Sequence, residues 1–228
     1  MILVDTVYQR VLALANKEQR GYITPQEFNL LANQAQMEIF EQYFYDQKSE
    51  DQNLKNSTEF SNVDEMLDEK LSIFKNTQAL TVTGSTGTLP SNMYRLGSLF
   101  YASSLIEVEQ VTEEELMYLQ QSPLAKPSTY CPAFVRSGGS TVTLYPSPTT
   151  AINLNYIKKP AKVVWGYAVI NDKALYNNGS STNFELHSGD ETELVYKILS
   201  LAGITIAKPG LGTYAEQQIT AQKTQEKQ

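Results

Sequence analysis

The stretch ITPQEFNLLANQAQMEIFEQYFY (residues 23–45) carries the clearest fold signal in this chain. Thr24 can cap a helix, Pro25 suits the first helical position, and Glu27 completes a capping box. Apolar residues then recur at three- and four-residue spacing, which predicts an amphipathic helix that runs to about Tyr45. The residues of this stripe are Phe28, Leu31, Ala32, Ala35 and Ile39.

Both ends of the chain predict further helices around this one. A first stripe, from Val4 to Ala15, precedes a helix stop at Gly21. Residues 46–60 are polar and predict a loop, after which Ser61 and Asp64 can cap a third helix. The inner face of that helix is predicted to hold Val63, Met66, Leu67, Lys70, Leu71 and Phe74.

Helix character returns near the other end of the chain. Ser188 or Asp190 can cap a helix whose stripe Gly203 should stop. The apolar residues of that stripe are Leu194, Val195, Ile198, Leu199 and Ala202. After KPG (residues 208–210), a last polar helix is predicted from about Leu211.

Between these helices the hydrophobic period changes to that of strands. Turn sequences GSTG (residues 84–87) and SGGS (residues 137–140) predict hairpins, and residues 152–156 alternate apolar with polar. Thr112 and Glu115 predict a capping box for one short helix inside this region. Residues 161–187 give no clear pattern beyond a turn at Asn178-Gly179.

The order of these elements predicts an α+β fold with two domains. Residues 1–77 and 188–228 should form a helical bundle from both termini, into which an antiparallel β-rich module of residues 78–187 is inserted. Leu31 and Leu199 are expected to share the core of the bundle.

Composition limits the classes of function. The 228 residues carry a net charge of −7, which disfavours a protein that grips nucleic acid through phosphate neutralisation. The densest basic cluster is Lys158, Lys159 and Lys162, which suits a solvated strand end. The spaced apolar residues and Asp5 near the start do not fit a signal peptide, and no apolar run is long enough to span a membrane.

The sequence shows no recognisable catalytic or metal-binding pattern. The single histidine, His187, lies beside a predicted helix start and suits a capping or surface role. The single cysteine, Cys131, lies between prolines and aromatic residues, and we expect it to be buried and inert. The carboxylates at residues 64–69 should spread round the polar face of a helix. The sequence therefore predicts no catalytic residue, no metal site and no cofactor.

Four phrases, in their order along the chain, carry a resemblance to a known family. They are VYQRVLALANKEQRGYITPQEFNLLANQAQMEIFEQYF (7–44), GTLPSNMYRL (87–96), VTLYPSPTTAINLNYIKKPA (142–161) and FELHSGDETELVYKILSLAGITI (184–206). Together they resemble the head–tail connector (adaptor or ring) proteins of short-tailed bacteriophages, including the crAss-like group. The chain departs from that pattern because it lacks a clearly basic C-terminal extension.

The resemblance implies a nonenzymatic virion protein, made in the bacterial cytoplasm, that forms a ring beneath the portal. Such rings are commonly twelvefold homo-oligomers that surround a channel for the genomic DNA without binding it specifically. The portal and the next tail component would be the partners, with no membrane involved. The stripe Leu211, Tyr214 and Ile219 in the last polar helix is the predicted partner interface.

A different class of function also fits the composition. Fourteen tyrosines and an Asn-rich β-section suit a carbohydrate- or receptor-binding tail module, in which aromatic rings stack on sugars. Against this alternative, nearly half of the chain is committed to capped amphipathic helices. A hydrolase is a third interpretation, and the single histidine weakens it.

Overall fold

A computed structural model describes residues 1–17, 23–53, 61–171, 173–205 and 217–220. The chain divides into two compact units. The first comprises the described parts of Met1–Ile73 and Pro160–Gln228, and the second comprises Phe74–Lys159. Helices and an antiparallel-rich sheet are both present, so the predicted α+β class is confirmed.

The described residues form five α-helices and ten strands. The helices are α1 (Val4–Lys17), α2 (Pro25–Asn53), α3 (Ser61–Ser72), α4 (Glu113–Gln121) and α5 (Glu191–Thr205). The first five strands are β1 (Lys75–Ala79), β2 (Thr81–Thr83), β3 (Thr86–Thr88), β4 (Met93–Tyr101) and β5 (Glu107–Gln110). The others are β6 (Ala133–Ser137), β7 (Thr141–Tyr145), β8 (Ile152–Lys158), β9 (Tyr167–Ile170) and β10 (Lys173–Tyr176).

Helices α1, α2, α3 and α5 belong to the first unit, where α5 packs against α1 and α2. The predicted stripe of α1 is buried except for half-buried Leu12, and Gly21 lies outside the described residues. Leu199 of α5 is buried, whereas Leu31 of α2 is half-buried. Helices α2 and α5 pack against each other, and a core shared by these two leucines stays a prediction.

The capping box at the start of α2 is present as predicted. The Glu27 N–H donates to the Thr24 hydroxyl at 3.3 Å, and the Thr24 N–H donates to the Glu27 carboxylate at 2.9 Å. These hydrogen bonds stabilise the charged carboxylate, so the pKa of Glu27 lies below its usual value.

For the helices, two boundary predictions and one prediction of an inward-facing residue are wrong. Helix α2 continues to Asn53, beyond the predicted end at Tyr45, because Gln, Lys and Glu sustain a helix without an apolar stripe. Helix α5 passes Gly203 and ends at Thr205. On α3, Leu67 and Leu71 are buried, but Met66 is 48% exposed. The predicted caps Ser61 and Asp64, and Val63, lie outside the described side chains.

The second unit is built on one sheet with strand order β1-β8-β4-β5-β6-β7-β3-β2. Neighbours are antiparallel except β5 and β6, which are parallel. The predicted hairpins are present as β2–β3 and β6–β7, with left-handed glycines at Gly84 and Gly138 in their turns. The alternation of β8 is confirmed, since Ile152, Leu154 and Tyr156 are all buried.

Residues 160–187 lie in the first unit, although the sequence-based division assigns them to the β-rich module. They hold β9 and β10, which pair with each other as a two-stranded ribbon. Trp165 is buried, and its indole N–H donates to the Asp5 carboxylate at 3.0 Å. Its ring stacks on Tyr167, with 5.8 Å between centroids. Contacts with residues distant in sequence hold this segment in place. Such contacts leave no periodic pattern in the segment's own sequence.

Candidate assembly surfaces

Side-chain amides on α2 hold the extended segment 161–165 by its backbone. The Asn33 amide accepts from the Val163 N–H at 2.9 Å and donates to the Val163 carbonyl at 2.8 Å. Asn29 makes the same two-way pair with Trp165, at 2.7 and 3.3 Å. An amide can replace a neighbouring strand in this way because it presents one acceptor beside one donor.

A third amide extends this row by one step. Gln36 donates to the Ala161 carbonyl at 2.8 Å and accepts from the Glu185 N–H at 3.2 Å. Four residues of a helix rise about 6 Å, which nearly equals the rise of about 6.6 Å over two residues of a strand. The amides of residues 29 and 33 therefore reach alternate residues of the extended segment. We call Asn29, Asn33 and Gln36 the amide row. The sequence pattern does not reveal this row, because polar residues inside a helical pattern ordinarily form the solvated face of the helix.

A buried ion pair joins three elements of the first unit. The Asp190 carboxylate, 1% exposed, lies 2.8 Å from the Lys70 ammonium of α3. It also accepts a hydrogen bond from the Tyr43 hydroxyl of α2 at 2.5 Å. The Lys70 ammonium lies 5.7 Å from the centre of the Tyr43 ring, within range of a cation–π contact. Lys70 faces inward as predicted. Asp190 is the last residue of the 3-10 helix Ser188–Asp190, whose N-cap is His187.

The two residues considered for nucleophilic chemistry occupy structural positions. His187 caps the short 3-10 helix Ser188–Asp190, where its Nδ1 accepts from the Gly189 N–H at 3.2 Å. Its Nε2 lies 3.8 Å from the Glu69 carboxylate. Cys131 is exposed, so the prediction that it is buried is wrong. The Pro-rich crossing that contains it runs over the surface, as connecting segments ordinarily do.

No metal centre is evident in the part of the chain that the structure describes. There, no three His, Cys, Asp or Glu side chains group as a metal site requires. Glu65, Asp68 and Glu69 are exposed along α3, and the side chain of Asp64 lies outside the described residues. None of the described helices is both long and apolar enough to cross a membrane.

Comparison with known families decides how these surfaces are interpreted. The SU10 adaptor protein family matches residues 4–177, roughly three quarters of the chain. The chain belongs to the SU10 adaptor protein family. Its members are adaptor structural proteins of bacteriophage particles, so the resemblance inferred from the sequence is confirmed. A search of curated proteins found no match.

The matched region of this adaptor includes the amide row, the whole sheet of the second unit and strands β9 and β10. It ends before Asp190 and α5, so the ion pair with Lys70 lies partly beyond it. Of the predicted partner interface, Leu211 and Tyr214 lie outside the described residues. Ile219 is half-buried in the helical turn of residues 217–220.

Apolar side chains are exposed on each unit of the adaptor. In the first unit one group of them lies on the β9–β10 ribbon, where Val169 is 65% and Ile170 is 53% exposed. In the second unit one group lies on α4 and the crossing that follows it. The exposed members there are Met117, Tyr118, Leu124 and Tyr130. Aromatic residues and methionine are enriched where proteins contact one another, so both surfaces are suited to contacts within a particle.

Proposed function

We propose that this chain is the subunit of a head–tail connector ring, located beneath the portal of a short-tailed bacteriophage. The family match over residues 4–177 carries the proposal, because it identifies an adaptor structural protein. In the proposed ring, twelve identical subunits surround the channel through which the genome leaves the head. The portal above and a tail component below are the partners, and the tail docks on the ring.

The charge of the chain supports a channel role. A net charge of −7 repels phosphate, so DNA would pass an acidic lumen without specific binding. A closed ring of identical subunits needs two different contact surfaces on each subunit, because its contacts are head-to-tail. The exposed apolar surfaces on the β9–β10 ribbon and on α4 supply candidates for them.

We assign the roles within the ring by domain. The first unit, which holds the helical bundle, packs subunit to subunit. The second unit, which holds the large sheet, faces the next tail component and also contacts its neighbours in the ring. The stripe Leu211, Tyr214 and Ile219 contacts a neighbouring subunit or the portal. The subunit is made in the cytoplasm of the bacterial host and carries out no catalysis.

The absence of catalysis has a direct test. His187→Ala and Cys131→Ser should leave infectivity largely intact, because one side chain caps a short helix and the other lies on the surface. Plaque titres of phage that carry each variant measure this. Normal particles that have lost infectivity in either variant would restore a chemical role for that residue.

Deletion of the gene from the phage tests the proposed position in the particle. With the protein supplied from a plasmid, infection should yield complete phage. Without it, DNA-filled heads that lack tails, or heads that lose their DNA, should accumulate in electron micrographs. Complete tailed particles in the deletion strain would contradict a connector. Tailed particles that no longer adsorb to cells would instead support the carbohydrate- or receptor-binding module.

A further inference from the structure

The solvent-facing side of strands β1, β8, β4 and β5 carries opposite charges at its two ends. On β8, Ile152, Leu154 and Tyr156 are buried, so Asn153, Asn155 and Ile157 point to the opposite side of the sheet. We call this side the outer face. The strand register identifies which residues of the neighbouring strands share it, because directly paired residues point the same way.

One end of the outer face is basic. Ile157 of β8 pairs with Lys75 of β1 on one side and with Arg95 of β4 on the other. Lys75 and Arg95 are both exposed, and exposed Lys159 follows the end of β8. Neither β1, β4 nor β8 contains an acidic residue. We call Lys75, Arg95 and Lys159 the basic end.

The other end of the outer face is acidic. Asn153 of β8 pairs with Phe100 of β4, which pairs in turn with Glu107 of β5. Glu109 is two residues further along β5, and both glutamates are exposed on either side of buried Val108. We call Glu107 and Glu109 the acidic end. Asn153 and Ile157 are four residues apart, so the two ends are separated by about 13 Å along β8.

A cleft opens at the acidic end because β4 departs from regular pairing there. The register of β4 with β8 shifts between Leu96 and Leu99. A Cβ at Gly97 would lie 2.6 Å from the Asn155 carbonyl oxygen, so only glycine fits this close approach. The cavity beside it has a volume of about 410 Å³ and includes Ser98, Gln110 and both glutamates in its lining. Carboxylates with a hydroxyl and an amide offer acceptors to a lysine or arginine side chain.

We propose that the basic end of one copy of this chain docks on the acidic end and cleft of the next copy. The inference rests on the proposed ring and adds to it a specific contact between sheets. Charge complementarity supports this occupant, because one chain presents both signs at separate places on one face. Each subunit then contacts one neighbour through its basic end and a different neighbour through its acidic end. Such a pairing is head-to-tail, which is the geometry that closes a ring. Opposed charges also orient the encounter of two subunits before contact.

Charge reversal tests the contact with the full chain. The first variant carries Lys75→Glu with Arg95→Glu, and the second carries Glu107→Lys with Glu109→Lys. A control variant, Arg136→Glu with Lys162→Glu, makes the same change in net charge as the first variant at exposed basic residues outside both ends and outside the exposed apolar surfaces. Native mass spectrometry, with the chain alone and with the portal of the same phage, measures the ring fraction. Thermal melts confirm that each variant folds.

The ring fraction of each reversal variant should fall by a factor of about ten or more, because the variant places like charges opposite one another. The control should assemble like the wild type. An equimolar mixture of the two variants should assemble again, as alternating subunits restore every charge pair, and a chain with all four reversals should assemble alone. Failure of the mixture and of the fourfold variant would overturn the pairing.

Two further outcomes separate this contact from the proposed function. If the wild type and both reversal variants form rings equally, the contact is refuted while the connector remains. If the wild type forms no ring, alone or with the portal, both the connector and the contact are refuted.

Discussion

The buried ion pair between Lys70 and Asp190 predicts a large effect of a single substitution. Methionine at residue 70 keeps an apolar stem of similar length but removes the ammonium group that lies 2.8 Å from Asp190. The Asp190 carboxylate is 1% exposed, so it would stay buried beside the neutral Tyr43 hydroxyl after losing this cation. Breaking a buried pair from one side costs about 3–5 kcal/mol. Lys70→Met should therefore lower the free energy of unfolding by about that amount.

A surface ion pair supplies the matched control. Lys197 of α5 lies 3.0 Å from Glu38, but the two side chains are 24% and 36% exposed. Lys197→Met should therefore cost less than about 1 kcal/mol. Combining Lys70→Met with Asp190→Asn removes both charges and should recover most of the loss. Urea unfolding followed by far-UV circular dichroism measures all four proteins. A Lys70→Met variant as stable as Lys197→Met would refute the reasoning.

Three further predictions follow from other parts of the structure. Asn33→Ala unpairs the backbone N–H and carbonyl of Val163, and should cost about 1–3 kcal/mol for each group in chemical unfolding; stability like that of exposed Gln34→Ala would contradict it. The pKa of Glu27 is lowered by its hydrogen bonds to Thr24. The capping box therefore stabilises the fold above the ordinary carboxyl pKa, and this stabilisation is lost as the pH falls through the lowered pKa of Glu27. Glu27→Gln should flatten the acid limb of a melting-temperature profile, and an unchanged limb would count against the box. Deleting residues 212–228 should leave the melting temperature of the monomer nearly unchanged but weaken ring assembly, whereas unimpaired assembly would remove their interface role.

Local signals in the sequence predicted most of the elements. The box at Thr24 and Glu27 recurs at Thr112 and Glu115, where both reciprocal hydrogen bonds form. Such boxes, glycine turns and strict alternation depend on residues close in sequence, so one sequence is enough to identify them. The order of these elements also led to the adaptor family.

Features that depend on distant residues could not be predicted in the same way. The amide row of α2 binds backbone more than a hundred residues away in the sequence. Sequence alone marks Asp190 as a candidate helix cap and does not reveal that its carboxylate pairs with Lys70. The polar composition of residues 46–53 predicts a loop, but these residues continue α2. The charged ends of the outer face become apparent only when the register of β8 with β1 and β4 is known.

The number of subunits that bind the portal decides whether this chain forms a connector ring. Native mass spectrometry of this chain with the portal of the same phage measures that number, and we expect a closed ring with one copy for each of twelve portal subunits. A chain that remains a monomer beside an intact portal, or that binds it at scattered stoichiometries without closing a ring, is not a connector subunit.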